Sequence, residues 1–325
     1  MSCNLVDNES IFVKRISTYL WALMLLYIGS AAAQAPVPDV LPVVSERGET
    51  LIIGRVSTNP KKHYQHLKPM VDYLAAQMAD AGIKKGKVVF AKDSDEMIEL
   101  LKLGKVDLIS ESPFLALTFH QSGAAEIFLR RWKKGTAEYR TVMISHKDGE
   151  VNSLSDLKGK KIAFQNGRST TSFYVPAAII SQYGYDLIRL DSLNDTVPDN
   201  KVGYVFANKE VNIAAWLSKR LVDAGAISNI DWQNESDMPP VFKKDIKIIY
   251  ESELFPRSVE LVRTTLEPKI KLEIKELLLR AHESIKGKEA LYEYQKTKRY
   301  DEISLNDNGM TLVKDLQDVV MKNLY

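Results

Sequence analysis

The chain has 325 residues, is 45% hydrophobic and 26% charged, and carries 44 basic against 42 acidic side chains for a net charge of +2. That balance excludes the global basic field of a nucleic-acid or anionic-membrane binder, so the local runs Lys84, Lys85, Lys87 and Arg130, Arg131, Lys133, Lys134 read as solvated faces. The single cysteine, Cys3, falls in a segment expected to be removed, which leaves no thiol for a disulfide, a metal cluster or a nucleophile.

Lys14 and Arg15 precede an apolar run, Ile16 to Ile28, followed by Gly29, Ser30, Ala31, Ala32 and Ala33. This is the order of a secretory signal. The strongly apolar part is shorter than the roughly 20 residues a membrane span requires. Residues 1–33 are therefore expected to be cleaved after Ala33, exporting the chain from the cytoplasm, with 34–49 as a flexible tether. Losing two residues of each sign leaves the net charge unchanged. The remainder is long enough for two lobes, because single cores stop growing near ~250 to 300 residues.

From Leu51 onward, short apolar runs alternate with amphipathic segments, the mark of a largely parallel sheet covered by helices. Strands are expected at Leu51–Val56, Lys87–Ala91 and Val106–Ile109. Between them, Leu67, Val71, Leu74, Ala75 and Met78, and then Met97, Ile98, Leu101 and Leu103, recur at helical spacing. Asp93 or Ser94 caps the second helix, Gly104 ends it, and Pro113 opens a third. Further strands are expected at Tyr139–His146, Lys161–Gln165, Lys201–Phe206 and Ala224–Ser228, with helices over Phe173–Gln182 and Lys209–Leu221. Asn229–Lys244, largely polar with Pro239 and Pro240, reads as a loop. Strands Lys247–Glu251 and Val259–Arg263 follow. The tail is helical, with Leu272, Ile274, Leu277, Leu278 and Ala281 on one side and a last helix near Leu312–Met321.

The most informative stretch is Leu157 to Pro176, where a strand runs through a small-residue turn into a helix. Unpaired amides and the hydroxyls of Ser169, Thr170, Thr171 and Ser172 converge there as the parts of an anion cradle, although a Ser/Thr cluster also serves as an ordinary N-cap. Four blocks carry a resemblance: residues 51–58 ending in Thr58, Gly104-Lys-Val-Asp-Leu-Ile109, Asp156-Leu-Lys-Gly-Lys-Lys-Ile-Ala-Phe164 leading to Ser169-Thr-Thr-Ser172, and Val222-Asp-Ala-Gly-Ala226. Together the chain resembles the PhnD-like phosphate, phosphite and phosphonate-binding proteins of ABC importers.

The resemblance implies an α/β, two-lobed periplasmic binding protein of type II, each lobe a mixed sheet flanked by helices, joined by two hinge crossings. The crossings are expected at Tyr139–His146 and Lys247–Glu251, giving lobe 1 as 50–141 with 250–325 and lobe 2 as 142–249. It implies no cofactor, a small oxyanion ligand in the cleft, an inner-membrane permease as partner and a monomeric state. Ligand contacts are expected from Thr58, Ser94, Glu111, Tyr139, Ser169, Thr170, Thr171, Ser172, Glu210 and Asp223. Several depart from the pattern: Glu111 and Ser94 stand where aromatic residues are frequent, and Glu210 stands near a missing histidine. A carboxylate beside an oxyanion repels it unless the ligand also carries a cation, so a zwitterion enters the expectation. Glu111 either takes that role or faces solvent or Arg168. Asp223 either completes the pocket or makes a turn, and Tyr139 either lines the hinge or packs in the core.

Other motifs are set aside. Ser155 and Lys158 have Ser-x-x-Lys spacing without its companion elements, and His63 and His66 lack a third metal ligand. Two rival readings remain, a sensing subunit of a membrane receptor kinase and a hydrolase using Ser169 or Ser172. The latter lacks a histidine near either serine in sequence.

Overall fold

The computed structural model describes residues 48–57 and 59–323. The expected signal segment, nearly all of the tether and Thr58 lie outside the described residues.

Strand β1 (Thr50–Val56) buries Leu51 and Ile53, and helix α1 (Pro60–Gln77) lays Leu67, Met70, Val71 and Leu74 over it. Strand β2 (Lys85–Ala91) runs parallel to β1. Helix α2 (Ser94–Lys102) is capped by Asp93, whose carboxylate accepts from the Glu96 amide at 2.9 Å. Asp93, not Ser94, is thus the cap. Leu103, the C-cap residue just past α2, is 65% exposed and falls outside the buried face expected of it. Strand β3 (Leu108–Glu111), helix α3 (Pro113–Gln121), strand β4 (Ala125–Arg131) and the short β5 (Glu138–Tyr139) follow.

The chain then builds a second sheet from β6 (Thr141–His146), β7 (Lys161–Phe164), β8 (Asp186–Arg189), β9 (Lys201–Phe206), β10 (Ala224–Ser228) and, later, β11 (Ile246–Glu251). Helices α4 (Val175–Gln182) and α5 (Glu210–Ser218) cover it. The polar stretch expected as a loop contains two short helices, α6 (Asn229–Gln233) and α7 (Pro240–Lys243). A reciprocal cap nucleates α6, with Ser228 Oγ accepting from the Asp231 amide and the Asp231 carboxylate accepting from the Ser228 amide, while Pro240 opens α7. The chain returns through β12 (Phe255–Pro256), β13 (Val259–Arg263), α8 (Pro268–Arg280), α9 (Ile285–Glu293), β14 (Tyr300–Asp301) and α10 (Asn308–Asn323). In α8 the buried positions are Ile270, Ile274 and Leu278, whereas Leu272 is exposed.

The first sheet has the order β14-β4-β13-β3-β1-β2 and the second β11-β6-β10-β7-β9-β8, each mixing parallel and antiparallel neighbours. The two lobes are joined by a two-stranded antiparallel ribbon of β5 and β12, in which Tyr139 meets Phe255 edge to face at 5.0 Å. The crossings therefore fall just before β6 and just after β11. The expected segments belong to the second sheet, because Val142, Met143 and Ile144 are fully buried within it. The lobes also touch where Phe114 of α3 stacks on Tyr174 at 3.8 Å, and α10 packs against both α3 and α4.

Candidate functional site

The ends of β1, β3, β4 and β7 open into a cleft of about 750 Å³. In sheets with parallel strands, ligands gather at the carboxyl ends, and here those ends deliver Arg55 and Ser57, Glu111, and Gln165 through Thr171.

The second lobe contributes a turn built from its own side chains. Ser172 Oγ accepts from the Gln165 amide at 2.9 Å and donates to the Ala226 carbonyl, tying the turn to β10. Ser169 Oγ accepts from the Ser172 amide at 3.1 Å, and Thr141 Oγ1 donates to the Thr171 carbonyl at 2.9 Å. The chain winds through one turn of π-helix, Thr170–Tyr174, before α4. The amides of Thr170 and Thr171 stand in this first turn, where no earlier helical carbonyl is available to them. Thr170 is 2% exposed, and its hydroxyl makes no well-formed hydrogen bond, having only a loose contact with the Tyr139 hydroxyl.

The first lobe and the ribbon contribute cations. Arg131, at the end of β4, is 2% exposed and held on three sides. Its Nε and Nη2 donate to Ser258 Oγ, Nη2 donates to Gln295 Oε1 at 3.0 Å, Nε lies 3.4 Å from Glu260 Oε1, and the Tyr294 ring is 4.5 Å from Cζ. Beyond it, Lys134 and Gly135 take left-handed backbone in a tight turn that sets Lys133 against the cleft. Arg257 donates to the Lys133 carbonyl at 2.8 Å, and Arg168 reaches across from the second lobe to donate to the Val56 carbonyl at 3.3 Å.

Charge is unevenly spread. Burial, reinforced by Arg131, Arg55 and Arg257, lowers Lys133 to about 7. Burial raises Glu111 against the pull of Arg55, Arg168 and Lys133. Burial and then Asp231 raise Glu210 to about 7, and the Gln165 amide donates to its carboxylate. Guanidinium groups thus line the cleft beside carboxyl groups that burial displaces toward the neutral form.

Of the expected residues, Glu111, Tyr139, Ser169, Thr170, Thr171 and Glu210 line the cleft. Ser172 does not; it is buried behind the turn and fixes it. Ser94 sits in the first turn of α2 outside the cleft lining. Asp223 is exposed at the opposite end of the sheet, where its carboxylate accepts from the Lys161 amide at 2.8 Å; β10 runs parallel to β7, so the residue preceding it faces away from the carboxyl ends. The sequence reading missed Arg55, Arg131, Lys133, Asp231 and Arg257, and it misplaced the Arg130–Lys134 run as a solvated face. Strict alternation could not have singled out Arg131: β4 bulges at Phe128, so Leu129 and Arg131 share one face while Ala125 and Ile127 pack on the other.

Residues 53–308 match the family described as ABC transporter, phosphonate, periplasmic substrate-binding protein. The Phosphonates-binding periplasmic protein of Escherichia coli is 28% identical over 218 residues, covering 65% of this chain and 60% of that protein. XAC2383 from Xanthomonas citri, in a structure bound to ATP, superposes with a TM-score of 0.77 at 32% identity, covering 85% of this chain and 98% of the other. PhnD1 from Prochlorococcus marinus, in complex with methylphosphonate, shares the fold with a TM-score of 0.56 at 16% identity, covering 84% and 98%. With most of its length matched and the two-lobed fold in common, the chain belongs to the family of periplasmic substrate-binding proteins of phosphonate ABC transporters.

Proposed function

We propose that this chain is the periplasmic receptor of an ABC importer and that it closes its lobes on a small ligand bearing a phosphorus oxyanion. The observation that carries this reading is the Ser169–Thr171 turn, whose buried and unsatisfied Thr170 hydroxyl faces a cleft edged by Arg55, Arg131 and Arg257. First-turn amides, hydroxyls and guanidinium groups together replace the hydration of an oxyanion. The Escherichia coli relative is named for phosphonates and the Xanthomonas citri relative was seen with ATP, ligands that share this group.

On this reading the chain is exported by a signal segment cleaved after Ala33 and acts as a monomer, with lobe 2 running from β6 through β11 and lobe 1 formed by the segments on either side of it. It hands its ligand to an inner-membrane permease, and the family match favours that role over sensing. It binds without turnover on this reading; of the two candidate nucleophiles, Ser172 already donates its hydroxyl to a backbone carbonyl and offers no proton to a base. Glu210 and Asp231 give the second lobe a place for an ammonium group, so an amino-bearing phosphonate fits the cleft as a zwitterion.

The test is a thermal-shift and calorimetric screen of methylphosphonate, phosphate, phosphite, a sulfonate and an aminoalkyl phosphonate. A true ligand at about 100 times its dissociation constant adds roughly 2.7 kcal/mol of stability. Replacing Thr170 and Thr171 together by Val removes that gain while the apo protein still folds. An unchanged gain in the double variant, or no gain from any phosphorus oxyanion, would overturn the assignment.

A further inference from the structure

The cationic wall holds more positive charge than one oxyanion on the Ser169–Thr171 turn requires. Arg131 is fixed by Ser258, Gln295, Glu260 and the Tyr294 ring, yet its Nη1 has no hydrogen-bond partner. A buried guanidinium nitrogen pinned beside a cleft and left without an acceptor is a donor held for something absent. Arg55 Nε is in the same condition. Among the described ion pairs, none involves Arg55, Lys133 or Arg257, and Arg131 shares only Glu260.

Four cations thus gather on one side of the cleft, with Glu111 and the already committed Glu260 as their carboxylates. The depressed basicity of Lys133, caused by burial and by Arg131, Arg55 and Arg257, reports the same crowding. The volume of about 750 Å³ leaves room for a ligand that reaches from the turn to this wall.

We propose that the cleft contains a second anion subsite, formed by Arg131, Lys133 and Arg257 beside Arg55, and that its preferred ligand carries two phosphoryl groups, one on this subsite and one on the Ser169–Thr171 turn. The proposal rests on the reading of the cleft as an oxyanion site. Arg131 supplies the fixed donor, and Lys133 and Arg257, linked through the Lys133 carbonyl, supply the charge around it.

Calorimetric titration with methylphosphonate, methylenediphosphonate and pyrophosphate tests it on the mature chain. At least one diphosphorus probe is expected to bind about 30-fold or more tighter than methylphosphonate, since each charge-assisted contact adds to affinity. Lys133→Ala with Arg257→Ala should weaken that probe about 10-fold further than it weakens methylphosphonate. The single variant Lys133→Ala should show a smaller loss in the same direction, and Lys133→Arg should restore the preference. Equal affinity for the three probes, or an equal loss for all of them in the variants, would overturn the second subsite while leaving the oxyanion receptor in place. Failure of all three probes to bind would remove both readings together.

Discussion

The two walls of the cleft solve the same problem in opposite ways. The second-lobe wall presents dipoles: its turn is assembled from hydroxyls and amides, and its ionisable groups are the carboxylates Glu210 and Asp231 apart from the exposed Arg168. The first-lobe wall and the ribbon present charge, and Arg131 is held by a buried partner, Glu260, and an aromatic face. Dipoles stay oriented without a ligand at little cost, whereas a buried cation without an anion is unfavourable until a network holds it. The charged wall is therefore the one whose structure depends most on its neighbours.

That contrast can be broken most severely at Arg131. Arg131→Ala leaves Glu260 buried without its cation, so the protein should lose about 3 to 5 kcal/mol of stability along with its anion affinity. Chemical denaturation reads the first loss and calorimetry the second. If Arg131→Ala stayed as stable as the native chain, the network account of this wall would be wrong.

A smaller effect is expected at Ser172 on the dipolar side. Ser172→Ala removes the donor to the Ala226 carbonyl and one of two acceptors of the Gln165 amide, which keeps the Ser172 carbonyl; this should lower stability by about 1 to 3 kcal/mol and weaken binding by loosening the turn. Thermal denaturation with and without methylphosphonate separates the two consequences.

The pH profile sharpens the comparison, since each wall carries a group displaced toward neutrality. Glu210, ordinarily 4.5, is raised to about 7, so between these values the folded protein holds more protons than the unfolded chain and loses stability as pH rises. Lys133, ordinarily 10.5, is lowered to about 7, so above 7 the unfolded chain holds more protons and stability recovers. The apo protein should show a shallow stability minimum near pH 7 from these two groups. Anion binding favours charged Lys133 and neutral Glu210, so affinity should fall as pH rises through 7. Denaturation and calorimetry between pH 5 and 9 measure both, and an affinity that rises with pH would contradict the assignment. The smallest effect belongs to Asp223→Asn, which should leave ligand affinity within about twofold because the residue lies at the far end of the sheet.

Much of the fold was legible in the sequence because β1, β7, β10 and β13 are short apolar runs separated by helical spacing, and the turn at Ser169–Ser172 announced itself through hydroxyls between a strand and a helix. The cationic wall was not legible in the same way. Arg130, Arg131, Lys133 and Lys134 look alike in composition, yet Arg130 pairs with Asp301 and Glu138, Arg131 is buried, and Lys133 turns into the cleft. Only long-range partners such as Ser258, Glu260, Tyr294 and Gln295 distinguish them, and sequence spacing carries no information about those. Asp223 failed for a different reason: strand direction, not residue type, decides which end of a parallel pair meets the ligand. The short helices α6 and α7 were hidden because a cap and a proline, and not apolar periodicity, define them.

Everything depends on an oxyanion lying between the turn and the guanidinium wall. Amide-resolved magnetic resonance during titration with methylphosphonate observes this directly. The account predicts saturable shifts centred on the amides of Thr170 and Thr171 and on the side-chain NεH of Arg55 and Arg131. Saturation with those signals unmoved, and shifts gathered elsewhere on the chain, would contradict it.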